Sequence, residues 1–466
     1  MRRRALTALA LVPALGLLAA CGDSHKRARS APPPAAPARI VPHLVWVHVI
    51  VNDGDLGKPV PKALVRVAGH SARTDRNGIA RLQLEHPRRL VVHVEKRGYD
   101  RFEQPLQFRH QPRVGVRIYR TELQWTMYGA SPQRTQFHPD IGVRPPFRRV
   151  IWSADSGGLM EFPAVVSDGV AFTSNYHGGV RAFSMRNGTR VWRRETTGHL
   201  ASSPAVVDQE LVVHGMDGYV WVLSRYNGRP RWRFRVGSPI ESSPVVVAGV
   251  DYFGSWNGTV YALDLRTHKL RWTYHSGYKI TSSASFYRGT IYIGDYSGRL
   301  LALSARTGRL RWSGSVNGRI YGTPAVAQGR VFAPSSDGNS LTAFSTGGHR
   351  LWSIGTGSYV YASPAVWAGR VYFGSYNGTI YCLSARTGGV LWRFSTSGSI
   401  GGAATVVDGI VYVSNRQHRI YGLNARTGRP VFRFPDGAFV PVSGNGRRLL
   451  LHGFSRIYAV ETRHRR

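Results

Sequence analysis

Residues 242–272 read Ser-Ser-Pro-Val-Val-Val-Ala-Gly-Val-Asp-Tyr-Phe-Gly-Ser-Trp-Asn-Gly-Thr-Val-Tyr-Ala-Leu-Asp-Leu-Arg-Thr-His-Lys-Leu-Arg-Trp. Short apolar and β-branched runs alternate there with Gly, Asn and Asp turns, the pattern of four short strands. The stretch is one copy of a repeat. At a period of 40 residues, Trp152, Trp192, Trp232, Trp272, Trp312, Trp352, Trp392 and Phe432 fall in one column without slipping register. A period of that size marks a stacked or circular array, because one such unit cannot bury its apolar face alone.

Within a copy, runs such as Ala205-Val206-Val207 and Leu211-Val212-Val213 give the first two strands. A turn follows at Asp217-Gly218, Asn257-Gly258, Ser297-Gly298, Asp337-Gly338 or Asn377-Gly378, where a positive φ is needed and Gly supplies it cheaply. The third strand ends in a second turn, Ala-Arg-Thr-Gly at 305–308, 385–388 and 425–428, and the large ring sits four residues further on, on the fourth strand. A ring recurring there is placed to wedge between adjacent sheets. First strands open near Phe162, Ser202, Ser242, Ser282, Thr323, Ser363, Gly402 and Pro441, which makes eight copies. The last copy stops after three strands, while Val150-Ile151-Trp152 is a fourth strand with no three before it. The expected fold is therefore all-β: an eight-bladed β-propeller closed by pairing of its N- and C-terminal strands, with few exposed edges.

The Ala-Arg-Thr-Gly-x-x-x-Trp column and the Ser-Ser-Pro-x-Val opening resemble the pyrroloquinoline-quinone-type (PQQ-like) propeller repeat over about 125–462, and Leu123–Gly129 with Arg134-Thr135 resembles the lead-in to its first blade. That family includes quinoprotein alcohol dehydrogenases and the non-enzymatic barrel-assembly lipoprotein BamB. The resemblance is specific for fold and says little about function.

The N-terminal third reads differently. Arg2-Arg3-Arg4, an apolar run from Ala5 to Ala20 and Leu18-Ala19-Ala20-Cys21 form a lipoprotein signal over 1–21. Its resemblance to bacterial lipoproteins implies cleavage before Cys21, lipidation of that thiol, and export to the outer face of a bacterial cell membrane. Residues 22–43 are rich in Pro, Ala and basic side chains and read as a tether. Residues 44–120 lose the 40-residue period and read as a small β-sandwich, with strands at Val45–Val51, Ala63–Val67, Leu90–Glu95 and Val114–Tyr119. Gly57 to Val65, Thr74 to Ala80 and Lys96-Arg97-Gly98-Tyr99 resemble a carboxypeptidase-regulatory-like domain, which implies a spacer or adhesion module. Asp75 and Asn77 read as a tight turn in preference to a fragment of a Ca²⁺ loop. The propeller occupies 121–462.

Of two cysteines, lipidation of Cys21 leaves Cys382 unpaired, at a position where other copies carry Ala262 and Ala302, so it reads as a small core residue. The chain carries 62 Lys and Arg against 25 Asp and Glu, a formal charge of +37. Such a field favours anionic partners. The arginines are dispersed over the repeats (Arg193, Arg233, Arg271, Arg311, Arg350, Arg393, Arg433), which points to a generally basic surface and not to a nucleic-acid site.

Turns between strands two and three share a face with the connections between blades in propellers of this kind. The first column holds Tyr176, Met216, Trp256, Tyr296, Ser336, Tyr376 and Arg416; the second holds Glu161, Ala201, Glu241, Thr281, Tyr321, Tyr361 and Gly401. Tyr176, Trp256, Tyr296, Tyr321, Tyr361, Tyr376 and Arg416 form the candidate binding face, either as a docking surface or as covers for their own turns. Quinone-dependent dehydrogenation needs an ion held by carboxylate and amide ligands and a catalytic Asp, and many relatives add a Cys-Cys pair. Only Glu161 and Glu241 are acidic in the two columns, and no Cys-Cys occurs. The expectation is a membrane-anchored scaffold, with no catalytic residue, metal, PQQ or Ca²⁺, that binds an envelope protein or anionic envelope polymer. A quinoprotein-like oxidoreductase and an envelope ligand sensor are the alternatives.

Overall fold

The computed structural model describes residues 44–85, 89–108 and 113–463, and the signal, lipobox and tether readings, Cys21 included, lie outside them. From Leu44 onward the chain forms one compact unit. Its first part holds Leu44–Asp53 (β1), Leu64–Val67 (β2), His70–Arg73 (β3), Ile79–Glu85 (β4), Arg89–Glu95 (β5), Phe102–Gln107 (β6) and Arg113–Ile118 (β7). They make two sheets, ordered β4-β1-β7 and β3-β2-β5-β6, with β1 and β7 parallel. Alternation decides the faces: Val47, Val49 and Val51 of β1 point inward with Val65, Val67, Val92 and Val94 of the other sheet. The sequence reading finds four of these strands and misses β3, β4 and β6. β3 and β6 are short or polar edges, and β6 carries Pro105, which an edge tolerates. At the expected turn, the Asp75 carboxylate accepts from the amides of Asn77 and Ile79, both at 2.9 Å, and from Arg81 at 3.0 Å.

The rest of the chain is a run of sheets, four-stranded and antiparallel at 165–195, 205–235, 245–275, 285–315, 325–355 and 365–395, while the one at 405–434 adds to its four antiparallel strands a fifth, parallel one, Phe137–His138 (β8). A last sheet joins Val442–Gly444, Leu449–His452 and Arg456–Val460 to Trp152–Asp155 (β9), which supplies its fourth strand. That strand begins two residues later than expected, although the Ile151 amide still donates to the Ala459 carbonyl at 2.9 Å. First strands of successive sheets from 165–195 to 405–434 lie side by side, and the first strand of the 165–195 sheet also lies against Val442–Gly444.

The ring column acts between sheets. The indole N–H of Trp152, Trp192, Trp272, Trp352 and Trp392 donates to a backbone carbonyl 33 residues on, in the second turn of the next sheet, at 2.8–3.2 Å. The glycine of that turn lies flat against the ring: a Cβ on Gly308 would fall 2.7 Å from Trp272, at φ +71. This explains the Gly of Ala-Arg-Thr-Gly, which both the conformation and the ring require. One hairpin departs from the expected form. At 335–340 the positive φ falls on Asn339 (φ 54) and not on Gly338, because this hairpin holds one residue more than its counterparts. The following turn is one residue shorter, so Trp312 bonds Thr346, 34 residues on, and the period recovers.

Two features escaped the repeat pattern. Residues 125–136 thread along the inner edges of the first strands. The amides of Val166, Val206, Phe286, Val326, Val366 and Val406, one from each of six sheets, donate to carbonyls of Trp125, Thr126, Pro132, Gln133, Thr135 and Gln136 at 2.7–2.9 Å. Arg134 is fully buried in this thread, and its guanidinium bonds the carbonyls of Tyr128, Ser243, Pro244 and Ala284. The lead-in thus ties sheets that are far apart in sequence, and the serine at the second place of each sheet's opening assists: Ser243, Ser283 and Ser363 Oγ accept the amides of Ser203, Ser243 and Thr323 in the preceding sheet at 2.8–3.0 Å.

The second feature is a buried His–Asp pair. His214 stands where other sheets have Gly254, Gly294 and Gly374, and Asp251 where they have Leu211, Ile291 and Val371. Both are fully buried, with His214 Nε2 2.8 Å from the Asp251 carboxylate and Nδ1 2.6 Å from the Ser242 carbonyl. Both ring nitrogens are thereby engaged by the neighbouring sheet. Cys382 is buried among Tyr372, Ile400 and Val413, and burial pushes its thiol up to about 12.

Sandwich and propeller meet through carboxylates. Buried Asp55 accepts from the Arg120 amide at 2.9 Å and Gln124 Nε2 at 3.2 Å, and Gln124 in turn accepts the Asp168 amide at 3.0 Å. Arg225 closes the joint on Asp168 at 2.8 Å.

Candidate functional site

The two columns expected at the mouth do share one face. The amide of each first-column residue donates to the connection that enters its own sheet: Tyr176 to Leu159, Trp256 to Pro239, Tyr296 to Lys279, Tyr376 to Tyr359 and Arg416 to Ser399, at 2.8–3.0 Å. At the centre lies a pit of about 260 Å³, walled by Glu161, Glu241, Thr281, Tyr321, Tyr361 and Tyr376. Tyr128 of the lead-in also lines it, fixed by its hydroxyl on Ser363 Oγ at 3.0 Å.

Glu241 is the hub. Its carboxylate accepts from Trp256 Nε1 at 3.0 Å and from the Tyr321 hydroxyl at 2.5 Å, so a first-column and a second-column residue from different sheets are joined through it. Burial, and then the Glu241 charge, push the Tyr321 phenol far above its usual range. Burial and Glu241 also hold Glu161 above the usual carboxylate range, and among the described residues no cation offsets them. The wall continues as an aromatic chain, Tyr321 edge-on to Tyr361 at 5.4 Å and Tyr361 against Tyr376 at 5.0 Å.

Cations occupy the rim. Lys279 Nζ lies 3.3 Å from the centre of the Trp256 ring and 5.1 Å from that of Tyr296, close enough for strong cation–π attraction. Burial lowers the Lys279 pKa. Arg319 lies 5.6 Å from the Tyr296 ring and pairs with Asp337 at 3.2 Å, and Arg416 donates to the Tyr376 hydroxyl at 3.3 Å.

Of the expected face, Tyr321, Tyr361 and Tyr376 line the pit, and Trp256 and Arg416 bond to its lining. Tyr296 lines an adjoining recess with Arg319, Asp337 and Tyr359. Tyr176 lines neither and stacks on His199 at 4.5 Å. Sequence reasoning missed Lys279, Arg319 and Tyr359, although they too fall 40 residues apart, in a column two places before the second one. Among the described residues, no three His, Cys, Asp or Glu side chains are grouped to hold a metal ion.

Several solved structures share the fold. BamB from Moraxella catarrhalis is 18% identical, with a TM-score of 0.58, covering 68% of this chain and 98% of its own. Quinohemoprotein alcohol dehydrogenase from Comamonas testosteroni is 13% identical with a TM-score of 0.63, covering 73% of this chain and 81% of its own. A europium-containing methanol dehydrogenase is 12% identical with a TM-score of 0.60, covering 71% and 89%. At these identities the likeness shows the β-propeller fold and no activity. No curated protein matches the chain significantly. The family profile described as outer membrane protein assembly factor BamB matches residues 142–278, 256–360 and 345–463, which together span most of the propeller. On that coverage the chain belongs to the outer membrane protein assembly factor BamB family.

Proposed function

We propose that the chain is a non-catalytic, lipid-anchored scaffold of the bacterial cell envelope whose propeller holds a protein partner at its aromatic mouth. In this reading Cys21 carries the lipid and residues 22–43 are the tether. Residues 44–120 form a carboxypeptidase-regulatory-like spacer, and 121–462 an eight-bladed ring closed by β9. The observation that carries the proposal is the rim itself, where Lys279, Arg319 and Arg416 lie against the faces of Trp256, Tyr296 and Tyr376, and Tyr361 packs on Tyr376. Rigid amphipathic rings with few rotatable bonds give large contact area at low entropy cost. The family description names assembly of outer membrane proteins, which makes an envelope protein the favoured partner and an anionic envelope polymer the second.

A quinoprotein oxidoreductase is the competing reading, favoured by the shared fold. The pit does not fit that cofactor. Pyrroloquinoline quinone carries carboxylates, and the pit would meet it with Glu161 and Glu241 and with no lining Lys, Arg or His.

The test is photocrosslinking in intact membranes from a benzoylphenylalanine at position 256 or 376. A discrete adduct is expected there and not from position 310 on an outer strand. Absence of any adduct, together with quinone-dependent turnover by the purified chain, overturns the proposal.

A further inference from the structure

The two ends of β1 lie in opposite surroundings. Its C-terminal end runs into the joint with the propeller, where Gly54 lies against the Tyr119 ring and Asp55 accepts from Gln124 at 3.2 Å. Its N-terminal end carries three large apolar side chains in a row, Leu44, Val45 and Trp46, which are 47%, 37% and 54% exposed. Trp46 is the most exposed large apolar side chain among the described residues. Val45 continues the inward alternation of Val47, Val49 and Val51 but lies past the end of the core. The ten residues of this strand put about 30 Å between the apolar tip and the joint.

Two separate observations say what covers the tip. The first is charge. By strand alternation Trp46 shares a face with Leu44 and His48, and β7 sets the exposed Arg113 beside His48 on that face. Leu44 pairs with Glu85 at the end of β4, and β5 opens at the same end with the exposed Arg89 and Val91. Neither Arg89 nor Arg113 makes an ion pair among the described residues, and Glu85 is the carboxylate they leave opposed. An indole with unpaired guanidinium groups beside it suits a lipid surface, since the ring settles at headgroup depth and the cations meet anionic headgroups. The second is connectivity. Residues 22–43 join the sandwich at Leu44, and even fully extended they reach only about 70–80 Å. A chain anchored through Cys21 keeps the tip within that distance of the bilayer, where a high effective concentration multiplies a weak contact.

We infer that this tip of the sandwich is a contact for an anionic lipid surface, with Leu44, Val45 and Trp46 entering the headgroup region and Arg89 and Arg113 on lipid phosphates. The inference rests on the lipid-anchored reading and adds an orientation to it. In a four-stranded antiparallel sheet the first and third turns lie at one end and the second turn at the other. The joint uses the first kind of end, through the Asp168 amide on Gln124, Gly169 against Tyr119 and Arg225 on Asp168. The mouth uses the other, with Tyr176, Trp256 and Tyr376 in second turns. The sandwich therefore stands between the bilayer and the propeller, and the mouth opens away from the lipid toward a partner in the aqueous phase.

The test is site-directed fluorescence on the full chain with vesicles of phosphatidylcholine, with and without phosphatidylglycerol. Trp46→Cys at the tip, Leu310→Cys on an outer strand and Tyr278→Cys, whose backbone packs on the second turn at Gly258, each receive an environment-sensitive label, while the buried Cys382 stays unlabelled. On membrane-bound chains the label at 46 should shift to the blue and be quenched by lipid-borne spin labels, and those at 278 and 310 should stay water-like. The unlipidated Cys21→Ser chain should still sediment weakly with phosphatidylglycerol vesicles. Adding Trp46→Ser should weaken that binding about tenfold, and adding Arg113→Ser about fivefold, each at the parent melting temperature. A water-like label at 46 on membrane-bound chains, an equal response at 278, equal binding with and without phosphatidylglycerol, or no binding by either form overturns the assignment. So does a lipid-free dimer that Trp46→Ser dissolves, which would make the tip an interface between copies of this chain. Equal sedimentation of the parent and Cys21→Ser chains, with the label at 46 still buried in lipid, would instead remove the anchor and leave the tip contact standing.

Discussion

The indole of Trp232 stacks on the imidazole of His268, with 4.2 Å between ring centroids and 26° between planes, where the related tryptophans of other sheets each face a glycine. His268 holds a left-handed φ of 59 in place of Gly, and the Trp232 Nε1–H has no acceptor, while its counterparts bond the next sheet. The wedge therefore works in two forms, hydrogen-bonded ring on glycine or ring on ring.

The two forms predict opposite sensitivities. Gly308→Ala places a Cβ 2.7 Å from the Trp272 ring at φ +71, so it should cost about 1–3 kcal/mol from overpacking. His268→Gly loses a stacked pair worth about 0.5–1.5 kcal/mol. It also relieves a strained backbone and lets Trp232 find an acceptor, so the net change should stay within about 1 kcal/mol. Urea unfolding followed by tryptophan fluorescence reads both, and an equally large loss for His268→Gly would show that the stacked ring is indispensable.

The His214–Asp251 pair gives a second prediction. Removing one partner, as in Asp251→Val or His214→Gly, leaves a buried group uncompensated and should cost about 3–5 kcal/mol. The double variant returns both positions to what other sheets carry and should recover most of that loss, since replacing a buried ion pair by apolar groups is often neutral. Thermal melts of the three variants decide it. A double variant no more stable than the singles would mean that Arg134, which also feels the Asp251 charge, depends on that carboxylate.

These sites show what a repetitive sequence reveals. The column from Trp152 to Phe432 and the Ser-Ser-Pro opening gave the sheet order, the face and most of the mouth, because each repeats a contact with the neighbouring sheet. His214 and Asp251 are breaks in two such columns, visible in the sequence as departures but silent about each other until the strands are side by side. Arg134 carries no periodic signal at all. Its partners Ser243, Pro244 and Ala284 lie more than a hundred residues away and are chosen by the path of the thread. The sandwich was half legible: β3 and β6 are short or polar edges with little alternation to read, whereas β4 alternates as cleanly as β1 and was passed over.

The joint between sandwich and propeller should be acid-tolerant and base-sensitive. Burial first, and then the charges of Asp53 and Asp168, raise Asp55 to about 7 against the hydrogen bonds from the Arg120 amide and Gln124. Burial and Asp168 raise Asp100 to about 6, with Thr121 and Arg225 opposing. A folded carboxyl that holds its proton more tightly than the unfolded one stabilises fully below about pH 4, and that contribution is lost as pH rises through about 7. Asp55→Asn should therefore flatten the fall in stability between about pH 4 and 7. Melting temperatures across that range check it, and an unchanged slope would place the titration elsewhere.

Arg134 should be the least replaceable residue of the lead-in. Its guanidinium is fully buried, bonds carbonyls of Tyr128, Ser243, Pro244 and Ala284, and is lowered by burial to about 10, so it remains charged at neutral pH. Arg134→Met fills the space but strips those carbonyls of their donor, at about 1–3 kcal/mol for each one left unpaired. Arg134→Lys keeps the charge yet cannot spread its donors over carbonyls on opposite sides of a planar fork, so it should rescue little. Because the same thread carries the carbonyls that pair with six sheets, the loss should be global. Hydrogen exchange is the decisive reading: the amides of Val166, Val206, Phe286, Val326, Val366 and Val406 should all lose protection together in Arg134→Met. Loss confined to the sheets at 245–275 and 285–315 would show that the arginine secures only its own neighbours and that the thread holds without it.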